Sequence, residues 1–184
     1  MDEEIDMIYF TSDMHLGYEA VIHMCNRPFR NVDEMNRVLI RNFNSMVHKN
    51  DTVYLLGDVT HRVSLDEVNE LISKLNGHKI LICGNHDKKY DENLFEGIYD
   101  FLELKGYCST SISLMHYPMV EWPKSRHGPI HLHGHQHNHF EYNVQMKEQG
   151  IKRYDVGVDG TNYFSVSLNQ ILEFMEVENE YYSI

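Results

Sequence analysis

Cysteine, proline and linker-like sequence are scarce in this 184-residue chain. It contains three cysteines and four prolines, and no Pro/Gly/Ser-rich stretch or low-complexity tract interrupts it. Cys25, Cys83 and Cys108 form an odd, sparse set, which is typical of thiols in a reducing cytosol and excludes a disulfide-built scaffold. The absence of a linker predicts one domain over residues 1–184, which is long enough to bury a sizeable core.

Basic residues and long apolar runs are also lacking. The chain has 16 Lys and Arg against 28 Asp and Glu, a net charge of −12. Such acidity repels nucleic-acid phosphates, so non-specific duplex binding is disfavoured unless metal ions reverse the local field. No apolar run approaches membrane-spanning length, and the first ten residues, MDEEIDMIYF, are acidic where a secretion signal would be basic. We therefore expect a cytoplasmic protein with no membrane partner.

Histidine, in contrast, is abundant. The chain has 13 histidines, and five of them fall in the segment HLHGHQHNH. Composition alone leaves open an accidental solvated tract. The positions of the histidines relative to the ends of the predicted strands decide between such a tract and a binding site.

The first half of the chain predicts three β-strands separated by two helices. The helices begin at Asn31, with Glu34 as its capping-box partner, and at Ser64, with Glu67 three residues later. This β-α-β-α-β order is typical of a parallel sheet with right-handed crossovers. The predicted strands lie within residues 5–11, 51–58 and 78–87.

The second half is more strand-like and ends in a helix. Strands are predicted within the segments YCSTSISLMHYP, PIHLHGHQHNHF and YDVGVDG. Ser167 and Gln170 are predicted to cap the closing helix LNQILEFMEV. The chain is therefore of the α/β class.

Polar side chains follow several of the predicted strands. In an open parallel sheet the carboxyl ends of neighbouring strands lie side by side, and ligands bind at that edge. The Asp-x-His and Gly-His-x-His spacings allow two residues of one extended segment to reach the same ion. The strand ends present seven potential metal ligands: Asp13, His15, Asp58, Asn85, His116, His135 and His137.

This ligand set combines oxygen and imidazole donors and contains no thiolate. Such donors suit Mn²⁺, Fe, Zn²⁺ or Ni²⁺ at a catalytic site rather than the zinc of a structural finger. Seven donors exceed the needs of one catalytic ion. With one bridging carboxylate they would suit two divalent metal ions and leave positions open for water.

Five short segments, in this order, carry a family resemblance: SDMH, GDVT, GNHD, MHYP and HGHQH. Together they resemble the signature of the calcineurin-like metallophosphoesterase superfamily, over roughly residues 6–137. The segments NRPF, EMNRVLI, VYLLGD and YDVGVD further resemble a small bacterial and phage subgroup of predicted phosphoesterases. The resemblance implies a four-layer α/β/β/α sandwich of two mixed sheets flanked by helices.

The resemblance also implies roles for individual residues. Asp58 would bridge two metals, Mn²⁺ foremost, and His86 would face the substrate as the general acid. The implied ligands are Asp13, His15 and His137 for one metal, and Asn85, His116 and His135 for the other.

The predicted reaction is hydrolysis of a small or nucleotide-like phosphodiester. A hydroxide bridging the two cations would attack phosphorus, and His86 would protonate the leaving oxygen. A phosphomonoesterase or protein phosphatase is a second reading, disfavoured because VTHRV follows Gly57-Asp58 where protein phosphatases have Asp-Arg-Gly. A DNA nuclease is disfavoured by the net charge. A non-catalytic interaction scaffold, as in vesicle-coat assemblies, is disfavoured because His86 and every ligand position are filled.

Several nearby residues have two interpretations. Asp87 either orients His86 or caps a helix, and His61 either contacts substrate or lies in a surface loop. For Arg27 a surface salt bridge is favoured over a phosphate contact, and for Trp122 a packed loop anchor over a base-stacking wall. Residues that support the metal ligands or belong to strands are expected at His131, His133 and His139.

Overall fold

The structure is a computed structural model that describes residues 6–87 and 90–180. In this part of the chain, the first sheet has five strands in the order β4-β3-β2-β1-β9. Strands β1 to β4 are parallel, and β9 is antiparallel to β1. The strands of this sheet are β1 Ile8–Thr11, β2 Thr52–Leu55, β3 His78–Ile82, β4 Gly97–Tyr99 and β9 Val166–Ser167.

The second sheet has four strands among the described residues, in the order β5-β6-β7-β8. Strands β6, β7 and β8 are parallel, and β5 is antiparallel to β6. Both sheets are therefore mixed, as the sequence predicts. The strands are β5 Leu102–Leu104, β6 Ile112–Leu114, β7 Ile130–His133 and β8 Arg153–Asp155.

Five helices of the described residues flank these sheets, and most begin at caps that the sequence predicts. The Asn31 side chain accepts the backbone N–H of Glu34, but the Glu34 carboxylate accepts the N–H of Arg30 rather than closing the predicted capping box. Ser167 and Gln170 form a complete capping box. The helices are α1 Ala20–Met24, α2 Val32–Met46, α3 Leu65–Ser73, α4 Phe140–Glu148 and α5 Leu168–Met175.

Strand β1 shows how the layers share the core. Because successive side chains of a strand point to opposite faces, Tyr9 packs among the helices while Ile8 and Phe10 pack towards the second sheet. The helix side is filled by α2 residues such as Met35 and Phe43. Both faces of the first sheet are thus buried, and the predicted four-layer α/β/β/α architecture is confirmed.

The ends of the central strands meet at one rim of the molecule. A parallel bridge joins Ser12, just after β1, to Gly157, just after β8, and so links the two sheets. The N–H of Asp13 donates to the carbonyl of Gly57, after β2, at 3.0 Å. The loops that follow the strands of both sheets therefore lie against one another, and these loops carry the predicted metal ligands.

Candidate metal centre

The first ligand cluster consists of Asp13, His15 and His137. One donor atom from each lies within 4.8 Å of the donors of the other two. Nε2 of His15 is 3.2 Å from Nε2 of His137, so the two rings point these nitrogens at each other. Only one proton fits between two such nitrogens. A cation bound by both would replace that proton.

Burial changes the pKa values of two residues in this cluster in ways that suit a bound cation. Asp13 is fully buried, and this burial raises the pKa of its carboxyl to about 6 although Ser12 Oγ donates to it. Burial also lowers the pKa of His15 to about 3, against the raising effect of the Asp58 carboxylate. A buried carboxylate and a neutral imidazole with a lone pair are donors that a divalent cation would satisfy.

The second cluster consists of Asp58, His116 and His135, with Asn85 beside it. The three donor atoms of the first three residues lie within 4.8 Å of one another, and Asn85 Oδ1 is 3.1 Å from His116 Nε2. The Nδ1–H of His116 donates to the Leu56 carbonyl at 2.8 Å, which directs Nε2 towards the oxygens of Asn85 and Asp58. This backbone contact orients the ring as expected for a metal-binding histidine.

Asp58 lies between the two clusters. Its Oδ2 is 3.7 Å from His15 Nε2 and 3.5 Å from His116 Nε2, so one carboxylate oxygen faces both clusters. Burial alone would raise the pKa of Asp58, but the hydrogen bond and charge of His116 outweigh it and lower the pKa to about 2. Asp58 is therefore ionised at neutral pH, and one of its oxygens faces both clusters.

Backbone strain is concentrated in the same two clusters. A left-handed backbone is uncommon for residues other than glycine and costs roughly 1–3 kcal/mol at each position. Such strain persists where the surrounding structure imposes it, and it is typical of functional sites. The ligand candidates with this backbone are Asp13 (φ 57°), His15 (φ 50°), Asp58 (φ 52°), His135 (φ 74°) and His137 (φ 51°).

Two motif glycines allow the loops to approach this closely. A Cβ on Gly84 would lie 2.3 Å from Asp58 Oδ1 and 2.5 Å from Asp58 N. A Cβ on Gly134 would lie 2.3 Å from Asp13 Oδ2. The glycines of GNHD and HGHQH therefore contribute space rather than chain reversal, because each carries a ligand-bearing loop into contact with another such loop.

A buried ion pair supports the first cluster, and the sequence assigns no role to one of its members, Asp159. The Arg27 guanidinium donates to both carboxylate oxygens of Asp159 at 2.8 Å and to the carbonyls of Asp13 and Met14. Asp159 Oδ2 is also 2.8 Å from Nδ1 of His137. The predicted surface salt bridge of Arg27 is thus wrong, since its side chain is fully buried where it ties the β1 loop to Asp159.

Asp159 fixes the orientation of His137. Burial by itself would lower the pKa of this histidine, but the hydrogen bond that Nδ1–H donates to Asp159 opposes burial, and the pKa is raised to about 10. With the Nδ1 proton held by Asp159, the Nε2 edge of the ring faces His15. Asp159 falls in the segment YDVGVD, but neither its type nor its spacing from His137 indicates this contact in the sequence.

Asp87 clamps the two loops that follow β2 and β3. Its carboxylate accepts the N–H groups of Asp58, Val59 and Gly84 at 2.7–3.0 Å, and also the hydroxyl of Tyr90. The helix-capping interpretation of Asp87 is therefore wrong. It acts instead on the backbone that carries Asp58.

His86 lies beside the clusters with its ring partly open to solvent. Its backbone N–H donates to Asp58 Oδ1 at 2.8 Å, its Nε2 is 4.0 Å from Asp58 Oδ2, and its side chain is 39% exposed. The ring of His61 stacks on it with centroids 3.7 Å apart. His61 therefore lines the site and does not belong to a separate surface loop.

Trp122 and His131 serve packing. Trp122 is 8% exposed and donates its indole N–H to the Pro129 carbonyl, so it anchors a loop. His131 is buried, with Nδ1 against the Ser113 carbonyl and Nε2 accepting the N–H of Met119. This histidine holds the loop that follows β6 and stands outside both clusters.

Comparison with known proteins agrees with this geometry. The model of the calcineurin-like phosphoesterase family matches residues 7–162, which include every predicted ligand. The chain belongs to this family. It is therefore, by class, a metal-dependent phosphoester hydrolase. Its fold and its clusters of His and Asp side chains agree with the divalent-metal binding typical of the family.

Individual relatives extend the match over most of the chain. An uncharacterized protein, MJ1445, of Methanocaldococcus jannaschii is 38% identical over 173 residues, covering 92% of this chain and 91% of its own. The Gene 66 protein of Mycobacterium phage L5 is 28% identical, covering 71% and 77%. The crystal structure of a protein of unknown function, AQ665, from Aquifex aeolicus has a TM-score of 0.66 at 28% identity and covers 91% of this chain and 98% of its own.

Within residues 6–87 and 90–180, no helix combines the length and the apolar character that crossing a bilayer requires.

Proposed function

We propose that the protein is a two-metal phosphodiesterase that hydrolyses a small or nucleotide-like phosphodiester. The observation that supports this most directly is the position of Asp58, whose Oδ2 lies 3.7 Å from a nitrogen of the first cluster and 3.5 Å from one of the second. A single carboxylate shared by two donor clusters is the arrangement expected for a pair of bridged cations.

The donors of the two clusters match divalent transition metals in chemistry and number. Asp58 would belong to both ions, and Mn²⁺ is the first choice for oxygen and imidazole donors, with Fe, Zn²⁺ and Ni²⁺ as alternatives. When bound, such a pair supplies positive charge to phosphoryl oxygens and lowers the pKa of water towards neutrality. The proposed ligands are Asp13, His15 and His137 for one ion and Asn85, His116 and His135 for the other.

His86 is the proposed proton donor. In the reaction, water loses one proton to solvent and its oxygen bonds to phosphorus. The bond from phosphorus to the leaving oxygen breaks, and that oxygen keeps the bonding electron pair. A protonated Nε2 of His86 then gives its proton to the leaving oxygen. The ring suits this role because it is partly open to solvent, while the backbone of His86 is bound to the Asp58 carboxylate beside both clusters. General acid catalysis typically contributes about 10²–10⁴-fold.

The net charge of the chain supports a small substrate. The net charge of −12 opposes binding of a long polyanion, whereas a single phosphodiester needs only the local charge of the site.

We also propose a cytoplasmic setting for this activity. Its support is that the three cysteines, Cys25, Cys83 and Cys108, are all free.

The test is hydrolysis of bis(p-nitrophenyl) phosphate by wild-type protein with added Mn²⁺. We expect turnover, with Asp58→Asn losing both turnover and tight Mn²⁺ binding, and with His86→Ala losing turnover while binding Mn²⁺ normally. Faster hydrolysis of p-nitrophenyl phosphate than of the diester would favour a monoesterase. Normal metal binding without turnover of either compound would favour the non-catalytic scaffold.

A further inference from the structure

We propose that His61 is a positioning residue for the proton donor His86, acting through the face of its ring. This inference rests on the proposed function of His86. The two imidazole rings are stacked, with centroids 3.7 Å apart and planes inclined by 19°. A parallel contact at this distance leaves the nitrogens of His86, on the ring edge, directed away from His61 and available for substrate.

The contact restrains a ring that has few other restraints. The backbone of His86 is fixed by its N–H bond to Asp58 Oδ1, but this bond does not set the rotation of the imidazole. The His86 side chain is 39% exposed, in contrast to the buried His116 of the second cluster. One face of the ring rests on His61, which limits the directions in which Nε2 can point.

The stack of rings continues beyond His61 to Tyr18, and the Arg62 guanidinium lies over the Tyr18 ring. The ring of Tyr18 lies 4.0 Å from that of His61, and the Arg62 guanidinium carbon lies 5.6 Å from the Tyr18 ring centroid. A parallel bridge between Leu16 and Thr60 brings the two loops together beside this stack. The wall behind His86 is therefore built by the β1 and β2 loops, which also carry ligand candidates.

Two substitutions of His61 distinguish a positioning role from direct contact with substrate. If His61 acts through its ring face, phenylalanine can replace it, because phenylalanine keeps the stacking surface and lacks the nitrogens. If His61 donates a hydrogen bond to a phosphoryl oxygen, phenylalanine must fail as badly as alanine. The pair His61→Phe and His61→Ala therefore separates the two roles.

The kinetic test compares these variants on aryl methyl phosphodiesters whose leaving groups span a range of pKa. A misplaced proton donor matters most when the leaving oxygen is basic. We expect His61→Ala to lower kcat about tenfold for phenol leaving groups, part of the full general-acid contribution, and to change it little for p-nitrophenol. His61→Phe should retain most of the wild-type kcat, and the exposed-surface control His127→Ala should equal wild type throughout.

A second measurement does not depend on turnover. In protein prepared without metal, the Cε1 proton resonance of His86 should shift when His61 becomes alanine, since the adjacent ring is lost, and should shift less in His61→Phe. Calorimetric Mn²⁺ affinity should be equal in all three proteins. Equal losses of kcat for every leaving group, a phenylalanine variant as impaired as the alanine variant, or an unchanged His86 resonance would each overturn the proposal.

If the proposed function is wrong, the variants will give different kinetic results. If His86 is not the general acid, His86→Ala will show no dependence on the leaving group. The resonance of His86 still tests the stack in that case, and an activity loss on His61→Ala without a matching loss in His86→Ala would refute positioning.

Discussion

Replacing Gly84 by alanine tests whether the close approach of the β2 and β3 loops creates the metal centre. The added Cβ would lie 2.3 Å from Asp58 Oδ1 and 2.5 Å from Asp58 N, whereas ordinary contact begins at 3.4 Å. The loops must therefore separate by about 1 Å, a distance the close-packed interior resists. Because one of the two clashing atoms belongs to the backbone, rotation of the Asp58 side chain alone cannot relieve the overlap.

Asp87 makes this separation costly. Its Oδ2 accepts the N–H of Asp58 at 2.8 Å and that of Gly84 at 2.7 Å, so moving the loops apart stretches at least one of these bonds. Overpacking of this kind typically costs about 1–3 kcal/mol of stability. A 1 Å displacement of Asp58 relative to the other ligands should reduce turnover about 10²-fold.

The assay measures urea unfolding, calorimetric Mn²⁺ binding and hydrolysis of bis(p-nitrophenyl) phosphate for Gly84→Ala. The control is Gly150→Ala, in which the Cβ meets no atom within 4 Å but the backbone φ of +71° is strained. The control should lose about 1 kcal/mol of stability with unchanged kinetics. A folded Gly84→Ala protein with wild-type Mn²⁺ affinity and turnover would refute the reasoning.

Three further predictions concern strain, metal support and pH. His15→Gly should be more stable than His15→Ala by about 1 kcal/mol in urea unfolding, because φ is +50°; equal stabilities would contradict the strain. Asp159→Asn should weaken calorimetric Mn²⁺ binding about 10–100-fold, because Asp159 holds Nδ1 of His137; wild-type affinity would show that the contact is dispensable. Burial lowers the pKa of His131 to about 4 from 6.5, so the unfolded chain takes up the proton first. His131 alone should then contribute a fall in stability of up to about 3 kcal/mol from pH 6.5 to 4, and His131→Gln should lose that much less than wild type over this range, which a pH series of urea midpoints checks.

The convergence of the ligands follows from a short chain of sequence arguments. The runs ending at Thr11, Leu55 and Ile82 are apolar and rich in β-formers, and helices with capping signals separate them. A parallel sheet with short loops then places the following residues together at one edge. The ligands of the two clusters could be predicted because the end of a strand is a local feature of the sequence.

Some elements lacked a local signal. Strands β4 and β5 have three residues each, too few for alternation to show. The apolar residues of α4 do not lie on one face, so no helical period marks it in the sequence. These elements form because the neighbouring sheets supply partners, which is a tertiary effect.

The contacts of the residues that support the site also had no local signal in the sequence. Arg27 and Asp159 are 132 positions apart, and their ion pair exists only once both sheets are assembled. Asp87 was visible as part of GNHD, but its three backbone contacts depend on the β2 loop lying beside it. Chemistry that recurs at strand ends can be read from a sequence, whereas contacts between distant loops require the fold.

The central claim is that Asp58 is shared by two cations, and anomalous scattering tests it most directly. Crystals grown with saturating Mn²⁺ should show two anomalous peaks next to the Asp58 carboxylate, one among the donors of each cluster, and crystals of Asp58→Asn should lose at least one of them. A single peak in the wild-type crystal at saturation, or two peaks of full height in Asp58→Asn, would contradict the account.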